Sequence, residues 1–264
     1  GQLRTSVHLM CTSVRRDGQL IDPCAGTFDG IVAASTIDQD DFVTKGTQSL
    51  QVFEQCSDAT TLVEGRDDDR TQEAGHRYAG GTHGNEPAGV KAMVAFHQQL
   101  QNGDLKLESG KVSLLLGNPQ AFQKDRRYVD RDLNRDFSEL DGTTIEGRRA
   151  HDIIQYLEQT SGIAALLDLH SVSIGDFKIC VYEKGDPYSL DLAHSISAIP
   201  LHFAFHPEHM PGSLVTAAGR MHICSLIVEC GNHQSRQGVH TALNHMHALL
   251  AHYRILPDSA RVQK

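Results

Sequence analysis

At 264 residues and 29.0 kDa the chain can fill one sizeable α/β domain, alone or with a small appendage. A net charge of −9 makes nucleic acid a poor partner, 39% hydrophobic and 22% charged residues speak against disorder, and no apolar run nears the roughly 20 residues that cross a bilayer, so no membrane partner is expected. The N-terminal residues show no basic segment followed by an apolar stretch, so no secretory signal is expected, and the six cysteines, which form no CxxC pair, are expected as free thiols in a reducing cytoplasm.

Residues 1–75 carry short alternating apolar stretches, such as Gly30-Ile31-Val32-Ala33-Ala34 and Ser49-Leu50-Gln51-Val52-Phe53. Turn residues such as Arg16-Asp17-Gly18 and Thr44-Lys45-Gly46 separate them, which predicts a β-rich N-terminal segment. The charged run 64–73 predicts an exposed linker and a boundary before a second unit, residues 76–264. The stretch 73–79 reads as a poor strand. Beyond it, spacing and apolar runs predict helices over 88–101, 147–160, 188–197, 215–221 and 240–253, the last with Pro257 just beyond. Strands are predicted over 112–116, 163–169, 179–182 and 225–229. Apolar strands alternating with helices indicate an α/β fold whose sheet is covered on both faces.

Four segments carry chemistry. In Gly80-Gly81-Thr82-His83-Gly84-Asn85-Glu86-Pro87 a histidine and a glutamate stand three residues apart in a glycine-rich loop before a helix. Zinc takes imidazole nitrogen and carboxylate oxygen, and small residues let the backbone bend until both side chains meet one ion. Alone, HxxE is equally a loop histidine and a glutamate near the positive end of a helix. In Leu166-Leu167-Asp168-Leu169-His170-Ser171, His170 ends a buried strand and faces the crevice where ligands bind in open α/β sheets. Asp168 shares its strand face and is placed to orient a ligand. His83, Glu86 and His170 together offer two imidazoles and one carboxylate, which leaves a fourth position for water, the catalytic arrangement. The run from Gly117-Asn118-Pro119 to Phe137 holds Arg126, Arg127, Arg131 and Arg135 among acids. Guanidinium groups suit bidentate carboxylate binding, although a solvated charged loop has the same composition. In Leu226-Ile227-Val228-Glu229 an apolar strand ends on a carboxylate suited to act as a general base.

In this order, GGTHGNE, NPxA followed by RYxDxDLNRxF, DLH and VExG resemble the succinylglutamate desuccinylase/aspartoacylase family of zinc carboxypeptidase-like enzymes, over roughly residues 76–257. The resemblance implies a mixed β-sheet flanked by helices and a catalytic domain over 76–264. It implies one zinc ion per chain, held by His83, Glu86 and His170, and hydrolysis of the amide bond of a small-molecule N-acyl amino acid. Glu229 then matches the general acid/base and Arg127 the arginine that polarises the scissile carbonyl. Asn134 and Arg135 match the pair that holds the α-carboxylate. With a one-residue shift, Arg220 matches a further substrate-carboxylate arginine. A homo-oligomer is compatible with this.

The family's small β-rich domain usually follows the catalytic domain, whereas here the β-rich residues precede it. A circular permutation, favoured by the turn-like stretch 36–46, and an unrelated N-terminal segment both account for residues 1–75. Three activities stay open: an N-acyl-amino-acid hydrolase, a zinc metallocarboxypeptidase acting on peptides, and a non-catalytic zinc-stabilised binding protein. Glu229 and Arg127 together speak against the third. The acyl group and the amino acid are not fixed by these motifs.

Overall fold

The computed structural model describes residues 75–197 and 202–256 and, before them, His8–Met10, Val14–Arg16, Gln19–Ile21 and Thr60–Glu64. Its strands are β1 (His8–Met10), β2 (Val14–Arg16), β3 (Gln19–Ile21), β4 (Thr60–Glu64), β5 (Gly75–Gly80), β6 (Lys111–Leu116), β7 (Ile163–Val172), β8 (Lys178–Glu183), β9 (His202–Phe205) and β10 (Cys224–Asn232). The helices are α1 (Pro87–Asn102), α2 (Pro119–Gln123), α3 (Ile145–Gln159), α4 (Pro187–Ile196), α5 (Leu214–Arg220) and α6 (Arg236–His252), with a 3-10 turn at Leu133–Arg135.

Eight strands form one mixed sheet in the order β1-β4-β6-β5-β7-β10-β8-β9, and β2 pairs with β3 separately. The four inner strands β6, β5, β7 and β10 run parallel, flanked by antiparallel β4 and β8. Alternation along these strands sorts side chains between two layers. Leu114, Leu116, Leu167, Leu169, Leu226 and Val228 join a core with Phe96 of α1 and Met246 and Leu249 of α6. Ala79, Leu115 and Leu166 face the other way, onto Ile153 and Leu157 of α3 and Leu214 and Ala218 of α5.

The stretch expected to be a poor strand is β5, a fully buried strand at the middle of the sheet, between β6 and β7. Its polar composition hides this, because partners supplied by the helices make burial tolerable. The ring of His76 lies 4.6 Å from that of Tyr253, and the Tyr78 hydroxyl donates to the Met246 carbonyl of α6 at 2.8 Å. Arg77 points to the opposite layer, 5.6 Å over the Tyr156 ring of α3. The predicted helices and the other strands appear with ends shifted by a few residues. Strand β9 and the short α2 were not anticipated. Glu64 belongs to β4, which pairs with β6, so β1 and β4, from before the expected boundary, extend the same sheet. The boundary itself, and the stretches at 30–34, 36–46 and 49–53, lie outside the described residues, as do Cys11, Cys24 and Cys56. Cys180, Cys224 and Cys230 are free thiols. No helix among the described residues is long and apolar enough to cross a membrane.

Replacing Tyr78 by Phe removes the hydroxyl that ties β5 to the Met246 carbonyl, which keeps its helical partner. We expect a loss of about 0.5–1.5 kcal/mol of stability, the net worth of one hydrogen bond, read as a lower urea midpoint at unchanged slope. An unchanged midpoint would show that this hydrogen bond does not fasten β5 to α6.

Candidate active site

The parallel inner strands deliver their C-terminal ends to one edge of the sheet, and the site is assembled there. The loop after β5 carries His83 and Glu86. It lies so close to α2 and the turn after it that a Cβ at Gly84 would run into the backbone of Ala121, Phe122 and Arg126, and the Gly84 amide donates to the Arg127 carbonyl at 3.1 Å. Glu86 occupies the cap position of α1 but makes no capping hydrogen bond, which leaves its carboxylate for other partners. On the neighbouring strands His170 and Glu229 are paired in register, so both side chains stand on the same face.

His83, Glu86 and His170 are buried, and one ligand atom from each lies within 4.8 Å of the others. Nδ1 of His83 is 2.8 Å from Glu86 Oε1, and Nδ1 of His170 is 2.9 Å from Glu86 Oε2. The outer ring nitrogens are each backed by a carboxylate. Asp132 Oδ1 lies 3.0 Å from His83 Nε2, and Asp168 Oδ2 lies 2.8 Å from His170 Nε2. Such partners fix the tautomer and direction of a metal-binding imidazole. Asp168 is itself held by the Thr82 hydroxyl at 2.8 Å. Burial works against ionising Glu86, but His170 and His83 outweigh it and hold the carboxyl well below the usual range. The same contest, won by His83 and Arg127, keeps Asp132 ionised. Burial pushes the Glu229 carboxyl up, and its Oε2 is buried with no hydrogen-bond partner among the described residues. A carboxylate in that state is suited to accept a proton.

Arg127 joins the site through Asp132, to which Nε and a terminal nitrogen donate at 3.2 and 3.0 Å, with a further contact to Glu86 Oε1 at 3.4 Å. Its loop is anchored from beneath by Glu146, a fully buried residue that accepts from the amides of Val129 (2.6 Å), Asp130 (3.0 Å) and Arg131 (3.2 Å) and from Asn118 Nδ2 (2.9 Å). Asp130 returns the contact by accepting from the first amide of α3, Ile145 N, at 2.8 Å. The motif reading did not single out the partnerships of Asp132, Thr82 and Glu146. Asp132 and Thr82 lie within RYxDxDLNRxF and GGTHGNE, whereas Glu146 lies in none of the motifs.

A sequence profile described as "Succinylglutamate desuccinylase/Aspartoacylase catalytic domain" matches residues 78–256, which span every element of this site. The chain belongs to this family. Among its relatives is an N-acyl-aromatic-L-amino acid amidohydrolase (carboxylate-forming) of Xenopus laevis, 34% identical over 155 residues, 56% of this chain and 50% of the relative. A probable aspartoacylase of Synechococcus sp. (strain CC9605) is 30% identical over 206 residues, 70% of this chain and 65% of the relative. The chain thus spans about half the length of the first and just under two thirds of the second. A solved succinylglutamate desuccinylase/aspartoacylase from Rhodobacter sphaeroides has the same fold, with a TM-score of 0.64 at 21% identity, over 78% of this chain and 61% of that one.

The residues expected to hold the substrate, Asn134, Arg135 and Arg220, lie on the α3/α5 side of the sheet. Asn134 is buried, and its Oδ1 accepts from the Leu214 amide at the start of α5 at 2.9 Å, which leaves its amide nitrogen as a donor. Arg135 donates to the Asn134 carbonyl at 2.7 Å. Arg220, the last residue of α5, reaches back to donate to the Pro211 carbonyl at 3.1 Å, next to Gly212, which packs on the Arg135 backbone. Arg220 makes no direct contact with the histidine–carboxylate network among the described residues.

Asp132→Asn removes the charge that orients His83 and holds Arg127. We expect affinity for a divalent ion to fall about 10- to 100-fold, measured by competition with a chelating dye. Unchanged affinity would show that Asp132 serves the loop alone.

Proposed function

We infer that the protein is a zinc-dependent hydrolase of the amide bond of N-acyl amino acids. The observation that carries this reading is the gathering of two imidazoles and one carboxylate, each imidazole backed by its own acid, beside half-buried Glu229, whose Oε2 is buried and unbonded among the described residues. The donor set fits zinc, which favours imidazole nitrogen and carboxylate oxygen and in catalytic sites takes three protein ligands. His83, Glu86 and His170 would hold the ion. When bound, zinc supplies Lewis-acid polarisation of the amide carbonyl and lowers the pKa of a water to about 7.

Glu229 takes the proton of the attacking water and returns it to the departing amine nitrogen, so that the C–N bond breaks to give a carboxylate and a free amino acid. Burial, which raises its proton affinity, suits it to that shuttle. Arg127 donates to the carbonyl oxygen as charge builds there, a contribution of about 3 kcal/mol in comparable sites. Asn134 and Arg135 hold the substrate's α-carboxylate, with Arg220 as a further cation on the same side. The names of the relatives, an amidohydrolase of N-acyl aromatic amino acids and a probable aspartoacylase, support the substrate class and leave the amino acid open.

Purified protein should carry one zinc per chain and release free amino acid from an N-acyl amino acid panel. Chelation should abolish turnover, and added zinc should restore it. Glu229→Gln should keep the zinc and lower kcat about 10²- to 10⁴-fold, whereas Asn134→Ala should raise KM more than it lowers kcat. Full activity of metal-free protein, or cleavage of peptides with no turnover of N-acyl amino acids, would overturn the reading.

A further inference from the structure

The loop after β10 brings to the site a histidine that the chemistry above does not use. Strand β10 pairs regularly with β7 as far as Glu229 and His170, then shifts register before Asn232 meets Val172. The shift falls at Gly231, whose φ of 102° disfavours any side chain and whose Cβ would collide with the Asp176 carboxylate. The chain beyond is pinned. Asn232 N donates to Asp176 Oδ1 at 2.9 Å, Asn232 Nδ2 to the Gly175 carbonyl at 2.9 Å, and His233 N to the Val172 carbonyl at 2.9 Å. His233 is therefore fixed at the same strand end as His170 and Glu229.

Its ring is also aligned. His233 Nδ1 lies 2.9 Å from Ser171 Oγ, and the Ser171 amide donates to Glu86 Oε2 at 3.0 Å. Burial pushes the imidazole pKa down, with Glu86 and Asp125 raising it and Arg127 and His83 lowering it. In the neutral ring, a Ser171 hydroxyl that donates to Nδ1 leaves the proton on Nε2. His233 is half-buried, and its Nε2 makes no hydrogen bond among the described residues.

The two layers place these groups on opposite sides of the site. His170 alternates with Ser171 along β7, so Ser171 stands on the α1/α6 face, and His233 lies in the loop that enters α6. Asn134, Arg135 and Arg220 belong to the opposite layer, tied to α5. With the α-carboxylate on Asn134 and Arg135, an acyl group lying across the metal ligands would reach the side of the site that carries Ser171 and His233.

We propose that His233, aligned by Ser171, reads the acyl group: its Nε2–H donates a hydrogen bond to an acceptor oxygen on the acyl chain, which favours acyl groups that carry such an oxygen over plain alkanoyl groups. This rests on the N-acyl amino acid reading and on the placement of the α-carboxylate given above.

Matched substrates test it. The zinc-loaded full chain is assayed on one amino acid bearing 3-oxobutanoyl against butanoyl, and 4-oxopentanoyl against pentanoyl, pairs that differ only at one carbon by a carbonyl oxygen. Aspartate, glutamate and phenylalanine serve as the amino acids. The parent should favour the oxo member of at least one pair in kcat/KM. His233→Leu should lower that preference about three- to tenfold, the loss of one neutral hydrogen bond. Ser171→Ala, which removes the alignment but not the backbone amide, should lower it in the same direction. His233→Gln, which keeps an N–H donor, should retain more of it than His233→Leu. A parent without oxo preference, or a preference that survives both His233→Leu and Ser171→Ala, overturns the role of His233 and leaves the hydrolase reading standing. No turnover of any of these substrates by the parent overturns both.

Discussion

The carboxylate of Glu86 is approached by the His83 ring from its own loop, by the His170 ring and the Ser171 amide from the end of β7, and at 3.4 Å by Arg127. A carboxylate removed from water is tolerated only when its oxygens are matched, and an unmatched one costs several kcal/mol. Here the match couples two separate chain segments, because the β5–α1 loop can close its glutamate only against the strand that carries His170. Asp132 and Asp168 extend the pattern outward, each holding the far nitrogen of one imidazole. The result is an alternation of acid and base in which every ring has a fixed orientation before any ion or substrate arrives.

Strand alternation sets which groups join that network. Along β7, Leu167 and Leu169 enter the core under α1 and α6, while Leu166 enters the core under α3 and α5. Asp168 and His170 follow Leu166 onto the second face. A slip of one residue would bury the wrong set of leucines and turn His170 away from Glu86 and Glu229. The apolar packing therefore positions the chemistry as well as stabilising the fold. The same alternation puts Ser171 on the first face, where His233 can reach it.

Legibility followed the physics of each segment. Helices with long apolar periodicity and strands with continuous apolar runs, such as 112–116 and 163–169, could be read because their composition alone reports burial. Strand β5 could not, since its buried His76 and Arg77 pack against Tyr253 and Tyr156, residues distant in sequence. The residues His83, Glu86 and His170 were readable as a set through their motif order, and the structure does gather them. The supporting residues were not. Glu146 looks like an ordinary residue in the first turn of a helix, and its role appears only when the amides of Val129, Asp130 and Arg131 converge on it. Ser171 and His233 are similarly silent, because a contact between two strand ends leaves no local pattern.

The most direct test is the zinc K-edge X-ray absorption spectrum of the protein loaded with one equivalent of zinc. Nitrogen and oxygen scatterers at about 2.0–2.1 Å, with the outer-shell signature of two imidazoles and no sulfur, are expected from His83, Glu86 and His170. A sulfur shell near about 2.3 Å, fewer than two imidazoles, or failure to retain zinc would contradict the site.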